Sequence, residues 1–174
     1  MGILSGNPKE EPMHYGEIFG VWSHLLAAKG LLAGYQTLLN HAGDEDLKRF
    51  IEDSIENVLK PEIQGAETLL KENGIPLPPS PPERPKANWE DIPAGARFTD
   101  PEIAAMLSKD IAAGLVACST IIGQSIREDI AAMYGQFHLK KAQFGAALLK
   151  MNKEKGWLVP PPLEVKSSDL SSQK

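Results

Sequence analysis

The sequence predicts an all-α fold, a single four-helix bundle built from two helical hairpins. Three observations carry that expectation. Apolar residues recur every three to four positions through four long stretches, the spacing of one helix face. The stretches stop near Gly43, Gly74, Gly123 and Gly156. A proline-rich segment, 75–98, separates the second stretch from the third. The length of 174 residues suits one domain, and a chain of that size buries roughly two thirds of its unfolded surface without staples.

Residues 1–13 hold Gly6, Asn7, Pro8 and Pro12 among charges and read as a loose arm. The first helix spans about His14 to Ala42. Its inner face carries Ile18, Val21, Leu25, Ala28, Leu32, Tyr35 and Leu39, and Phe19, Trp22 and Leu26 widen it. Gly43 is expected to end it in the left-handed conformation, which glycine adopts without a steric penalty. Asp44 then caps the second helix, with Glu45 and Asp46 favouring the positive end of the helix dipole. The inner face reads Leu47, Ile51, Ile55, Val58, Glu62, Ala66 and Leu69. Gly74 closes this helix as a left-handed cap and Pro76 prevents continuation.

The prolines between Ile75 and Pro85 favour an extended polyproline II strap. The third helix starts near Asp100-Pro101, with Thr99 and Glu102 spaced as a capping box and Asp100 as the competing N-cap. From Ile103 to Ile122 it is apolar nearly all round, which predicts the most buried helix of the four, ended by Gly123. Ser125-Ile126-Arg127-Glu128 reads as a second capping box opening the fourth helix. Ile126, Ile130, Met133, Phe137, Phe144, Leu148 and Met151 form its inner face, and Gly156 and Pro160-Pro161-Pro162 stop it. The expected domain is thus 14–165, followed by a disordered tail at 166–174.

Lys71-Glu72-Asn73-Gly74 before Ile75 echoes Lys153-Glu154-Lys155-Gly156 before Trp157. The echo is either the ordinary way helices stop or the mark of two homologous hairpins. Short turns make each hairpin antiparallel, and the strap makes helices two and three parallel. That up-down-down-up order with a long crossover between helices 2 and 3 is the connectivity of ferritin-like bundles. A helix of 25 residues is ~38 Å long, which about 12–13 residues of polyproline II can cover. The strap therefore has residues to spare, and Trp89 and Ile92 are expected to dock as anchors.

Composition excludes several function classes. The formal net charge is −5, where a general nucleic-acid binder shows a basic stripe. No apolar run reaches ~18 residues without charges, so no membrane insertion is expected. The N-terminal residues fit neither a signal peptide nor the myristoylation pattern, which needs Ser or Thr where Gly6 stands. One cysteine, Cys118, permits no internal disulfide and points to a reducing, cytoplasmic compartment.

Catalytic chemistry is not legible. A dinuclear metal centre in a ferritin-like bundle needs Glu-x-x-His on two helices, because that spacing aims carboxylate and imidazole at one point. The sequence has none; the reversed His14-x-x-Glu17 is the nearest approach. The expectation is no catalytic residue, no metal and no cofactor. A non-standard site, if one exists, would draw on Glu17, Glu62, Asp110 and His138. Against it, Pro61 should bend the second helix and turn Glu62 toward solvent. Asp110 should be exposed or ion-paired, with Lys109 or a helix-edge lysine as partner, and His24 and His138 should be structural hydrogen-bonders. Tyr134 could pair with Tyr35. Cys118 lies in apolar surroundings that raise a thiol pKa and blunt its reactivity.

The start Ile18-Phe19-Gly20-Val21-Trp22, the run Gly74-Ile75-Pro76-Leu77-Pro78, Ser125-Ile126-Arg127-Glu128-Asp129, and the closing Gly156-Trp157-Leu158-Val159-Pro160-Pro161-Pro162 together resemble a family. It is the ferritin-like spore coat F-like family of spore-forming Bacilli, domain of unknown function 3231, and the likeness covers roughly residues 8–163. The resemblance implies the bundle fold and a link to the spore coat, and no established reaction. It implies a non-enzymatic structural protein packing with itself, as a homo-oligomer, or with other spore coat proteins. The alternatives are a degenerate metal or redox protein and a small-ligand-binding bundle.

Overall fold

A computed structural model of the chain describes residues 11–162 and 164. Most of the arm and the tail at 166–174 lie outside the described residues. The elements are α1 (Tyr15–His41), α2 (Glu45–Ser54), a π turn (Ile55–Leu59), α3 (Lys60–Glu72), α4 (Asp100–Gln124) and α5 (Glu128–Glu154). Backbone angles stay right-handed helical at Ser54, Ile55, Leu59 and Lys60, so α2, the π turn and α3 form one rod. The fold is all-α, four helical rods with no strand among the described residues.

Pro61 explains the π turn. It has no N–H to give, and its ring crowds the carbonyl four residues back. The chain yields by widening one turn, and the Lys60 N–H donates to the Ile55 carbonyl. Across this turn the inner stripe stays inside. Leu47, Ile51, Ile55, Val58, Ala66 and Leu69 are all buried, and Glu62 is only 2% exposed. The expectation that Pro61 turns Glu62 into solvent is therefore overturned: the chain absorbs the proline in a π turn and Glu62 stays inside.

Two apolar clusters fill the ends of the interior. One joins Tyr35, Leu38, Phe50, Ile51, Ile103, Leu107 and Leu148. The other joins Val21, Leu25, Leu70, Cys118, Ile121, Ile130 and Tyr134. Glu11 and Met13, at the end of the segment read as a loose arm, are buried, and the Glu11 carbonyl accepts from Arg127. On α1 the widened face holds only at Trp22, which packs on the second cluster. Phe19 is 73% exposed and Leu26 also lies open, while His24 and Lys29 are inside.

Gly74 and Gly156 have φ of 70° and 71°. Each sits in the same double hydrogen-bonded stop. Ile75 and Gly74 donate to Leu70 and Lys71, and Trp157 and Gly156 donate to Asn152 and Lys153. Gly43 does not share this conformation, a correction to the sequence reading. Ala42 is extended, and the Gly43 N–H is taken at 2.8 Å by Asp100 from the start of α4. Asp44 caps α2 as expected, accepting from Asp46 and Leu47.

The other tight turn is also corrected. Helix α4 runs past Gly123 to Gln124, and α5 begins only at Glu128. The Ser125 hydroxyl donates back to Ile121 instead of capping α5. The N–H groups of Ile126 and Arg127 go to Glu17 Oε1, both at 2.9 Å. The His14 ring accepts from Gly16 at Nδ1, so its proton sits on Nε2, 3.1 Å from the Gln124 carbonyl. The first helix of each hairpin thus begins by binding the turn of the other: Asp100 holds the α1–α2 turn and Glu17 the α4–α5 turn.

Segment 75–98 runs beside α1 in the same direction. Trp22 Nε1 donates to Pro76, Lys29 to Pro78 and Asn40 to Pro85, and Phe98 N–H donates to His41. Trp89, expected as an anchor, is 41% exposed and lies near Leu39 and Asn40 of α1, with the Arg97 guanidinium 4.0 Å from its ring centre. Hydrogen bonds to α1 do the anchoring.

Helix α4 overturns the expectation of greatest burial. Only Ile103, Ala104, Leu107, Cys118 and Ile121 are buried. Ala105, Ala112, Ala113 and Val116 face solvent, Val116 at 67% exposure. Apolarity all round says that a helix can be covered, and not that its own chain covers it. This helix with the preceding turn, Ala94–Gln124, is the one element among the described residues long and apolar enough by composition to cross a membrane.

Candidate functional site: a cavity over a buried ion pair

Between the two apolar clusters lies a cavity of about 640 Å³. Helices α1 and α4 face each other across it with small residues: Gly20, Ser23, Ala27 and Gly30 on one wall, Ala113, Gly114, Ala117 and Thr120 on the other. Ala27, Gly30, Ala113 and Thr120 are exposed, so the cavity opens to solvent between these helices. Val58, Leu59, Ile111, Ile121 and Phe144 give it a mostly apolar interior.

Its polar end is built by three rods. The π turn and Pro61 place Glu62 inward from the start of α3. Lys141 reaches it from α5, its ammonium bonded to both carboxylate oxygens. Both side chains are almost wholly buried. The lysine stem crosses α4 at Gly114, where a Cβ would stand 2.8 Å from Lys141 Cε and 2.9 Å from Cδ. Any larger residue there would push the lysine aside. His24, from α1, places Nε2 3.4 Å from Glu62 Oε2. That nitrogen is buried and has no hydrogen-bond partner. The His24 ring meets Tyr134 edge-on at 5.1 Å between centroids.

Burial shapes the remaining titratable groups. It pushes the Cys118 thiol up to about 11, with the Lys141 charge opposing and Glu62 assisting. The Tyr35 hydroxyl is also raised, first by burial, then by the charges of Asp110 and Glu62, so it stays protonated. Burial raises Tyr134 as well, and its hydroxyl has no partner. The expected Tyr134–Tyr35 pair is absent: Tyr134 packs on His24 and Phe137.

The four residues named for a non-standard metal site are dispersed. Glu62 and Asp110 both line the cavity. Asp110 meets Lys109 at 3.2 Å, the pairing expected from sequence. Glu17 is 1% exposed and committed to backbone N–H groups of the α4–α5 turn. His138 is half-buried on α5 and does not line the cavity. Among the described residues no three His, Cys, Asp or Glu side chains gather as a metal would require. At Glu62 the place a cation would take is filled by the Lys141 ammonium.

Sequence reasoning missed Lys141 and Lys29. The signal for Lys141 was present: it stands seven residues after Tyr134 and seven before Leu148, on the buried stripe of α5. A lysine in that stripe and a glutamate in the stripe of the second rod are each unaffordable alone and complementary together. Lys29 is buried under the strap, bonded to the Pro78 carbonyl and to Glu67 at 2.8 Å.

Four helical rods with a buried ion pair beside an open apolar cavity make this an all-α helical protein. The chain belongs to the family of proteins of unknown function DUF3231, whose profile matches residues 1–170. It is 58% identical over 165 residues to the uncharacterised protein YvdQ of Bacillus subtilis strain 168, covering 95% of this chain and 96% of that one. A crystal structure described as a "putative spore coat protein" of Bacillus halodurans C-125 superposes with a TM-score of 0.90 at 56% identity, covering 92% of this chain and all of that one.

Proposed function

We propose that this chain is a non-enzymatic structural protein, a ferritin-like up-down-down-up four-helix bundle made in the cytoplasm and deposited in the spore coat. It works by packing against itself or other coat components. The observation that carries this reading is the open apolar face of α4, where Ala105, Ala112 and Val116 lie uncovered by the rest of the described chain. These apolar residues, with Lys109 among them, are the surface such packing would use. The strap beside α1 and the clasp of each hairpin on the other's turn support the ferritin-like connectivity. The dispersed acidic residues support a protein without metal or cofactor, and the name of the Bacillus halodurans relative supports the coat.

A fluorescent fusion followed through sporulation tests the reading. The expected pattern is a ring around the forespore, dispersed by Val116→Glu in a protein that keeps its helical circular dichroism. Diffuse cytoplasmic fluorescence throughout sporulation would refute it.

A further inference from the structure

The cavity carries an inference that the coat reading does not need. We infer that it is a binding site for a neutral amphiphile, an apolar body bearing one hydroxyl or carbonyl head. The volume, about 640 Å³, is that of a small-molecule site. Its walls are mostly apolar, with Glu62, Lys141 and His24 gathered in one place, so a ligand would bury a hydrocarbon body and present a single polar group there. The small residues facing each other on α1 and α4 create this room. Gly20, Ala27, Gly30 and Ala117 place no side chain across it, although larger apolar residues fill the clusters at either end.

The head is specified by the groups that wait for it. His24 Nε2 is more than nine-tenths buried, lines the cavity and has no hydrogen-bond partner. Lys141 spends its ammonium on the two oxygens of Glu62 and has a third N–H to give. Both can serve an oxygen acceptor. The charge balance sets the sign of the head. Lys141 and Glu62 cancel, and Asp110 on the same wall is matched by Lys109. A carboxylate would add a negative charge beside Glu62 and Asp110. An ammonium would add a positive one beside Lys141. Either would be buried without a counter-ion, a cost that a hydroxyl or carbonyl avoids.

Calorimetric titration of the full chain with 1-octanol, octanoate and octylammonium at pH 8 tests this directly. The expected result is one octanol per chain, with both charged analogues weaker by about tenfold or more. Shortening the probe to 1-butanol should weaken binding by about a hundredfold, through the methylenes no longer withdrawn from water. Ala117→Phe fills the cavity and should abolish binding. His24→Phe keeps an aromatic body and removes the free nitrogen; it should weaken octanol by about tenfold and leave octanoate unchanged. Circular dichroism identifies a variant that fails to fold, in which case the other variant decides. Absence of octanol binding would overturn the inference, as would octanoate binding as tightly as octanol. So would retained binding in folded Ala117→Phe, or a second copy of the chain found seated over the opening and excluding the probe.

Discussion

Two buried carboxylates, Glu17 and Glu62, stand in contrast. Glu17 sits at the end of the rods and is held by backbone: it accepts N–H groups from His14, Ile126 and Arg127. Glu62 sits at the middle and is held by a side chain, Lys141, with His24 Nε2 3.4 Å away. The first is a tertiary helix cap. Its partners are amide groups that every sequence carries, and that a helix start leaves unsatisfied. The second depends on one lysine arriving from another rod past one glycine. A carboxylate tied to backbone serves the fold. One tied to replaceable side chains beside a cavity is open to being shaped by a ligand.

The contrast can be broken at its most costly point first. Lys141→Met should destabilise the chain by about 3–5 kcal/mol, because it leaves Glu62 buried without a counter-ion. Replacing both, Glu62→Leu with Lys141→Leu, should recover most of that loss, and chemical denaturation of the two variants measures the difference. If the double variant is no better than the single, the pair is not an isolated unit. Glu17→Ala should cost about 1–3 kcal/mol, since two amides of the α4–α5 turn lose their acceptor. No second substitution is expected to rescue it, because the partners are backbone.

Smaller effects sharpen the comparison at the helix ends. Around both Gly74 and Gly156 an added Cβ would meet nothing within 4 Å. Valine at either position should therefore cost about 1–2 kcal/mol, all of it from the left-handed backbone. Gly43→Ala, at a position without positive φ, should cost less, as paired melting curves will show. The smallest effect belongs to Asp129, whose carboxyl the Arg127 guanidinium holds below its ordinary value. Because the folded value is the lower one, its contribution is complete above the unfolded pKa of about 4. It is lost as pH falls through the folded value. Asp129→Asn should therefore lower stability slightly near pH 7, leave it little changed at low pH, and so flatten the acid limb of a stability–pH curve.

The periodic stripe on the second helix was legible residue by residue, as were the caps at Asp44, Thr99, Gly74 and Gly156. These depend on the chain within a few positions. The α4–α5 turn was not legible, since the group that caps it comes from Glu17, more than a hundred residues away in sequence. The cavity was invisible for a related reason. Its lining residues Gly30, Ala117 and Glu62 look like ordinary helix packing until four rods are brought together. The internal echo gained meaning only when Asp100 and Glu17 were found holding opposite turns.

By itself the sequence determined the helices, their order and the stops at Gly74 and Gly156, because hydrogen bonding within a helix and the conformational preferences of Gly, Pro and Asp act locally. Tertiary structure alone decided which side of α4 faces solvent, and that Pro61 would be absorbed by a π turn leaving Glu62 inside. It alone matched Glu62 with Lys141. Burial is a property of what lies opposite a side chain, and a single helix carries no record of its neighbours. A charged residue on an apolar stripe has its meaning fixed only by the group that meets it across the core.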